Sequence, residues 1–155
     1  MLPPLPAKAL KLKEGMTMDT LDRPADAAKD TETVRIYLET HMIPDPVAAA
    51  KYVAPGFELT FTGGRKFDSP TGATGFNARR YKWVKKKMDR FETVPGIRET
   101  VVYSLGTLYG EWPDGTPFEG NRYVDRFVVR NGLIASQDVW NDSAERLLTK
   151  NGIEA

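Results

Sequence analysis

Along the chain the period of the apolar positions changes three times, and each change predicts a different element. Val34, Tyr37, Leu38, His41 and Met42 recur at i, i+3, i+4, i+7 and i+8, which lays them along one face of a helix. Asp30 is the expected cap, with Glu32 well placed against the dipole in the first turn. A second helix is expected after an Asp45 cap and Pro46, from Val47 to Val53, with Pro55-Gly56 stopping it. Strict alternation then takes over: Phe57, Leu59 and Phe61 stand against Glu58, Thr60 and Thr62, and Gly63-Gly64 turns the chain into a short strand over 66–68. Helical spacing returns at Tyr81, Val84, Met88 and Phe91, behind a possible cap at Asn77 and ahead of Pro95-Gly96. The last third alternates throughout. It predicts strands over 97–112, 118–130 and 133–142, joined by Pro113-Asp114-Gly115 and the hairpin signal Asn131-Gly132.

Two helices, a hairpin, a third helix and a three-strand meander define an α+β domain whose curved antiparallel sheet is covered by about three helices and wraps a pocket. Residues 1–29 carry no sustained period and are expected to be an N-terminal extension, with the domain over 30–148 and a tail over 149–155.

Composition narrows the chemistry. The 155 residues are 41% hydrophobic and 28% charged with a formal net charge of +1, which suits one soluble core and argues against nucleic acid as partner. With no cysteine and one histidine, thiolate nucleophiles, sulfur-bound zinc and multi-histidine metal centres are all excluded. No apolar run approaches the roughly 20 residues of a membrane span, and the start lacks the apolar stretch of a signal peptide, so a cytoplasmic protein without membrane association is expected. Charge is uneven along the chain. Arg79, Arg80, Lys82, Lys85, Lys86, Lys87 and Arg90 would form the outer face of the third helix, either merely solvated or an anion-binding face.

Candidate chemistry comes from the strand faces. In 118–130 one face carries Asn121, Tyr123, Asp125, Phe127 and Val129, and the other Arg122, Val124, Arg126, Val128 and Arg130. Turning the more aromatic face inward buries Asp125, whose carboxyl is then expected to rise and serve as a hydrogen-bond donor to an oxyanion. The following strand has two possible registers. A two-residue Asn131-Gly132 turn sets Asp138 opposite Asp125, Trp140 opposite Tyr123 and Asp142 opposite Asn121; a bulged turn sets Gln137 opposite Asp125 with Val139 and Asn141 inward. In the strand before, the face with Tyr103, Leu105, Thr107 and Tyr109 is expected to point inward. Tyr37 and His41, four apart, stack on the buried face of the first helix; each is core filler or, for His41, the one near-neutral base overlooking the pocket.

The order of elements, with Val-Arg-Ile-Tyr-Leu-Glu ahead of Asp45 and Tyr123-Val-Asp-Arg-Phe-Val-Val-Arg-Asn-Gly-Leu-Ile before Val139-Trp-Asn-Asp, resembles the nuclear transport factor 2-like superfamily over about residues 30 to 148. That group includes SnoaL-type polyketide cyclases, ketosteroid isomerase, scytalone dehydratase and limonene epoxide hydrolase. The resemblance implies a cone-shaped barrel with a deep apolar pocket, a homodimer, and chemistry without metal or coenzyme. It places Tyr37 and Asp125 where ketosteroid isomerase has its oxyanion-hole pair, while the isomerase's general base has no counterpart at Thr60-Phe61. Asp142 falls near the acid of limonene epoxide hydrolase.

These parts are expected to form a cofactor-free lyase acting on a hydroxylated aromatic small molecule, by dehydration or by loss of formaldehyde from a lignin-derived diarylpropane-type compound. Asp125, His41, Tyr37 and Asp142 are the catalytic candidates. Tyr103, Tyr109, Tyr123, Asn121, Phe127, Asp138, Trp140 and Asn141 are the candidate substrate-binding residues, around an acidic pocket. A SnoaL-like cyclase or isomerase and a non-catalytic binding module are the alternatives.

Overall fold

The computed structural model describes residues 23–153. The elements run α1 (Ala27–Met42), α2 (Pro46–Ala49), β1 (Val53–Phe61), β2 (Arg65–Phe67), α3 (Pro70–Arg80), β3 (Trp83–Pro95), β4 (Glu99–Glu111), β5 (Pro117–Arg130), β6 (Leu133–Asn141) and α4 (Ser143–Lys150). The six strands make one mixed sheet in the order β2-β1-β6-β5-β4-β3, unclosed, with only β1 and β6 parallel. The fold is α+β, as expected.

α1 starts one turn earlier than its sequence pattern: Asp26 is the cap and accepts from the Lys29 amide at 3.1 Å. Asp30 instead lies buried in the first turn, where Thr100 Oγ1 donates to its carboxylate at 2.6 Å. Val34, Tyr37 and Leu38 face the sheet as expected. Asp45 does cap α2, accepting from the Ala48 amide at 2.9 Å, but that helix lasts four residues and one 3-10 turn. Pro55-Gly56 sits inside β1 rather than ending a helix, at an irregularity where β1 and β6 change register and Gly56 takes φ +79°. Phe57, Leu59 and Phe61 are buried, as their alternation requires.

The third helix is displaced. It occupies Pro70–Arg80 behind a Ser69 cap, and the expected helix around Tyr81 to Phe91 is instead the edge strand β3. Its misleading spacing has a physical origin. Val84, Lys86 and Met88 alternate inward; then Asp89 is unpaired in a bulge, Met88 matching Gly106 and Arg90 matching Leu105, so Phe91 and Thr93 resume the inward face out of phase. Alternation interrupted by one extra residue mimics i, i+4, i+7. The basic run is thereby split between the end of α3 and the two faces of β3. α4 closes the described chain as a short helix that the pattern of apolar positions did not signal.

The core lies between α1 and the concave side of the sheet, where Val34, Tyr37 and Leu38 meet Phe127, Val129, Val102 and Ile134, extended by Phe57, Leu59, Phe61 and Phe76. A second aromatic group, Tyr81, Trp112 and Phe118, closes the far end, with Trp112 and Phe118 4.4 Å apart.

Candidate active site

β5 supplies the polar floor. Its inward face carries Asn121, Tyr123, Asp125 and Phe127, all buried. Asp125 is fully buried and paired with Lys86, which reaches in from β3 and is itself only 16% exposed. The bulge at Asp89 leaves Lys86 in phase with Val84 and Met88, so its ammonium is carried inside. There it also lies 3.9 Å from the centre of the Tyr123 ring, a cation–π contact. Gln137 Nε2 donates to the same carboxylate at 3.4 Å, and the Tyr37 hydroxyl donates to Gln137 Oε1 at 3.0 Å. Asp125 Oδ1 and Asn121 Oδ1 are buried with no hydrogen-bond partner.

Burial governs the electrostatics of this group. It pushes the Asp125 carboxyl above its ordinary value, against the attraction of Lys86, which works to lower it. Tyr37 is pushed up by the same desolvation, and Tyr123 to about 12, so both phenols stay neutral. His41, stacked on Tyr37 with ring centres 5.7 Å apart, is lowered chiefly by burial, with the nearby Lys86 adding to the effect. Its imidazole is neutral at pH 7. His41 Nε2 lies 3.2 Å from Thr74 Oγ1, which can donate or accept, and 3.3 Å from the Pro70 carbonyl, which only accepts; on that contact the hydrogen is assigned to Nε2 and the lone pair to Nδ1.

A cavity of about 230 Å³ lies beside this group and touches it through Lys86 and His41; no β5 residue, Asn121, Tyr123 and Phe127 included, lines it. Phe61, Val84, Leu108 and Val139 form its apolar walls; His41, Lys86, Thr74, Asn77 and Asn141 are its polar lining; Met42, Ile43 and Pro44 stand at the end of α1. Lys82 and Lys85 also line it, and no carboxylate does, so the acidic pocket expected from the strand faces is a basic one. Asp125 and Tyr37 sit behind the lining. Asp125 therefore meets the cavity through Lys86, a residue that the sequence pattern assigned to an outer helix face.

The other expected residues divide by face. Tyr123, Asn121 and Phe127 are inside, as placed by the alternation of β5. Tyr123 exchanges a hydrogen bond with Ser104 Oγ at 2.9 Å, Asn121 Nδ2 donates to Ser143 Oγ at 3.4 Å, and Phe127 packs edge-on against Tyr37. Tyr103 and Tyr109 belong to the outer face of β4, opposite to expectation. The inner face is Thr100, Val102, Ser104 and Leu108, and Tyr109 is 39% exposed beside Trp83. Ser104 and Gly106, which pair with Asp125 and Tyr123, leave the room that inward tyrosines would fill.

β6 follows neither of the two expected registers throughout. The turn is the two-residue Asn131-Gly132, pairing Arg130 with Leu133, but Ala135 is then passed over and Asp125 pairs with Val139. That bulge turns Gln137, Val139 and Asn141 inward and Asp138, Trp140 and Asp142 outward. Asp138 sits 3.8 Å from Arg126, and Trp140 is 50% exposed. Asp142 is bound by Arg122 at 2.7 Å, which holds its carboxyl below the ordinary range. Of the β6 and loop residues expected at the site, Asn141 lines the cavity, beside Val139, whereas Asp138, Trp140 and Asp142 do not; the Asn141 side chain accepts from the Ser143 amide at 3.0 Å.

Among the described residues no group of three or more histidine, cysteine, aspartate or glutamate side chains is placed to hold a metal ion. No helix there is long and apolar enough to cross a membrane.

A curved, unclosed mixed sheet packed against helices is the nuclear transport factor 2-like fold, and solved structures of that fold match this chain. An NTF2-like protein of unknown function from Burkholderia pseudomallei superposes with a TM-score of 0.62 at 19% identity, covering 77% of this chain and 95% of its own. A candidate SnoaL-like polyketide cyclase from Jannaschia sp. CCS1 gives 0.62 at 16% identity over 83% of this chain and 95% of its own. TerC, co-crystallised with polyporic acid, gives 0.61 at 14% identity over 77% and 95%. The sequence matches no protein-family model and no curated protein.

Proposed function

We propose that the chain is an acid/base enzyme for a small oxygenated aromatic molecule, acting by elimination and needing no coenzyme. The observation that supports this is the meeting, on one apolar cavity, of a neutral imidazole, His41, and a partly buried ammonium, Lys86. Such a pair divides the work of an elimination. His41 Nδ1 takes a proton from carbon or from a primary hydroxyl, and Lys86 stabilises the charge that develops on oxygen. In a dehydration the C–H electrons form the double bond and the C–O bond breaks. The leaving oxygen takes a proton from the Lys86–Asp125 pair, which His41 later restores. Loss of formaldehyde uses the same parts: the proton is drawn from the primary alcohol, its O–H electrons form the formaldehyde C=O, the broken C–C bond's electrons form the double bond, and the benzylic oxygen leaves with a proton from the same pair. Tyr123 and Asp125 act as positioning residues for the ammonium, and Tyr37 positions Asp125 through Gln137.

The likeness to a candidate cyclase and to a protein crystallised with an organic acid is consistent with a small-molecule site in this fold. A panel of hydroxylated arylpropane and diarylpropane compounds, assayed for released water or formaldehyde, tests the proposal. Turnover should be level at neutral pH and fall on the acid side, with its inflection below the ordinary histidine value of about 6.5, because protonation removes the base. His41→Gln should lower kcat by about 10²–10⁴-fold with little change in KM. Aromatic ligands that bind normally with no product from any member of the panel would make the chain a binding module instead.

A further inference from the structure

The cavity carries more positive charge than an elimination requires. Three lysines line it and no carboxylate does. Lys82 is occupied at the exposed edge by Glu111 at 2.9 Å, and Lys85 is exposed. Lys86 differs from both, because its ammonium is mostly buried and fixed from two sides by Asp125 and the Tyr123 ring. An ammonium has three N–H donors, so one remains for a ligand in the space that Lys86 lines.

We propose that this cavity takes its aromatic ligand as an oxyanion, with a phenolate or enolate oxygen on Lys86 Nζ. The inference rests on the reading of this cavity as the reaction site and names the substrate class for it: acidic phenols and enols rather than neutral alcohols. Asp125 makes the exchange feasible. Its Oδ1 is buried without a partner, so the carboxylate is poorly solvated as an anion. When the ligand arrives, Lys86 gives one of its protons to Asp125 and takes the phenol proton in its place, so the phenolate replaces the carboxylate as counter-ion and the ammonium ends with its three protons. Of the other titratable groups facing this pair, Tyr37 and Tyr123 are held neutral and offer no acceptor for the proton, and protonation of His41 is disfavoured by burial and by the charge of Lys86.

The test uses 4-nitrophenol, whose ionised form absorbs in the visible, titrated over pH with the full-length protein in excess. The bound phenol should ionise about one pH unit or more below the free phenol, a roughly tenfold preference for phenolate. Lys86→Arg should keep the shift and Lys86→Met should abolish it; if Lys86→Met fails to fold, Lys86→Met/Asp125→Asn carries the same comparison. Benzoate should compete and benzyl alcohol should not. A bound phenol that ionises at or above the free value, a shift that survives loss of Lys86, or no binding at millimolar 4-nitrophenol overturns the proposal. A clear shift with no product from the elimination panel supports it while refuting the elimination reading. Turnover of neutral alcohols without a shift does the reverse.

Discussion

Lys86→Met is the most informative single change, because it removes the cation from a carboxylate that has no access to water. An exposed pair contributes about 0–1 kcal/mol, whereas removing one member of a buried pair costs about 3–5 kcal/mol by stranding the other charge. Asp125 is 0% exposed and Lys86 16%, which places the cost near the lower bound, at about 3 kcal/mol. Methionine keeps most of the lysine stem, so lost packing adds little. The expected fall in Tm is roughly 6–12 °C for a domain of this size. The penalty must also depend on pH. With Lys86 gone, burial acts on Asp125 against little more than the Gln137 hydrogen bond, and its folded pKa rises further above the unfolded value of about 3.9. Such a group is harmless below the unfolded pKa and loses stability as pH rises through the folded one. Urea unfolding at pH 4.5 and pH 8 should therefore give a larger deficit at pH 8, and adding Asp125→Asn should recover most of it. A deficit below about 1 kcal/mol, or one equal at both pH values, would refute the description of this pair as buried and coupled.

Three further outcomes follow from the contacts. Tyr37→Phe removes the only donor to Gln137 Oε1 among the described contacts and should cost about 1–2 kcal/mol in chemical denaturation. A fall in kcat of about 10²-fold would instead make its hydroxyl an oxyanion donor. Asp142→Asn, at an exposed pair with Arg122, should change stability by no more than about 1 kcal/mol and leave the pH–rate profile unaltered, and a lost acid limb would place Asp142 in the chemistry. Gly106→Ala should cost more than about 3 kcal/mol, because the new Cβ would lie 2.0 Å from the Lys87 carbonyl oxygen; the 4-nitrophenol shift should weaken with it as Lys86 moves.

Much of the frame is legible in the sequence because local patterns and tertiary burial agree there. The α1 stripe, the alternation of β1, the inward face of β5 and the Asn131-Gly132 turn each follow from one uninterrupted period. β4 fails for another reason. Its tyrosine face is the more aromatic, but the inner face must leave space beside β5, and small residues such as Ser104 and Gly106 carry that information less visibly than large ones.

The site itself is hidden by bulges. A period of two assigns a face only as far as the next inserted residue, after which every side chain changes sides. In β6 the insertion at Ala135 sends Asp138 and Asp142 out to arginines and brings Gln137 and Asn141 in, so the carboxylate pair that the alternation offers does not form. In β3 the insertion at Asp89 disguises a strand as a helix and makes Lys86 look like one more exposed cation in a basic run. The two errors have a common consequence. Removing acids from the cavity wall and adding a lysine reverses the sign of the pocket, so a site that reads in the sequence as lined by carboxylates is lined in the fold by ammonium groups, with Asp125 behind them.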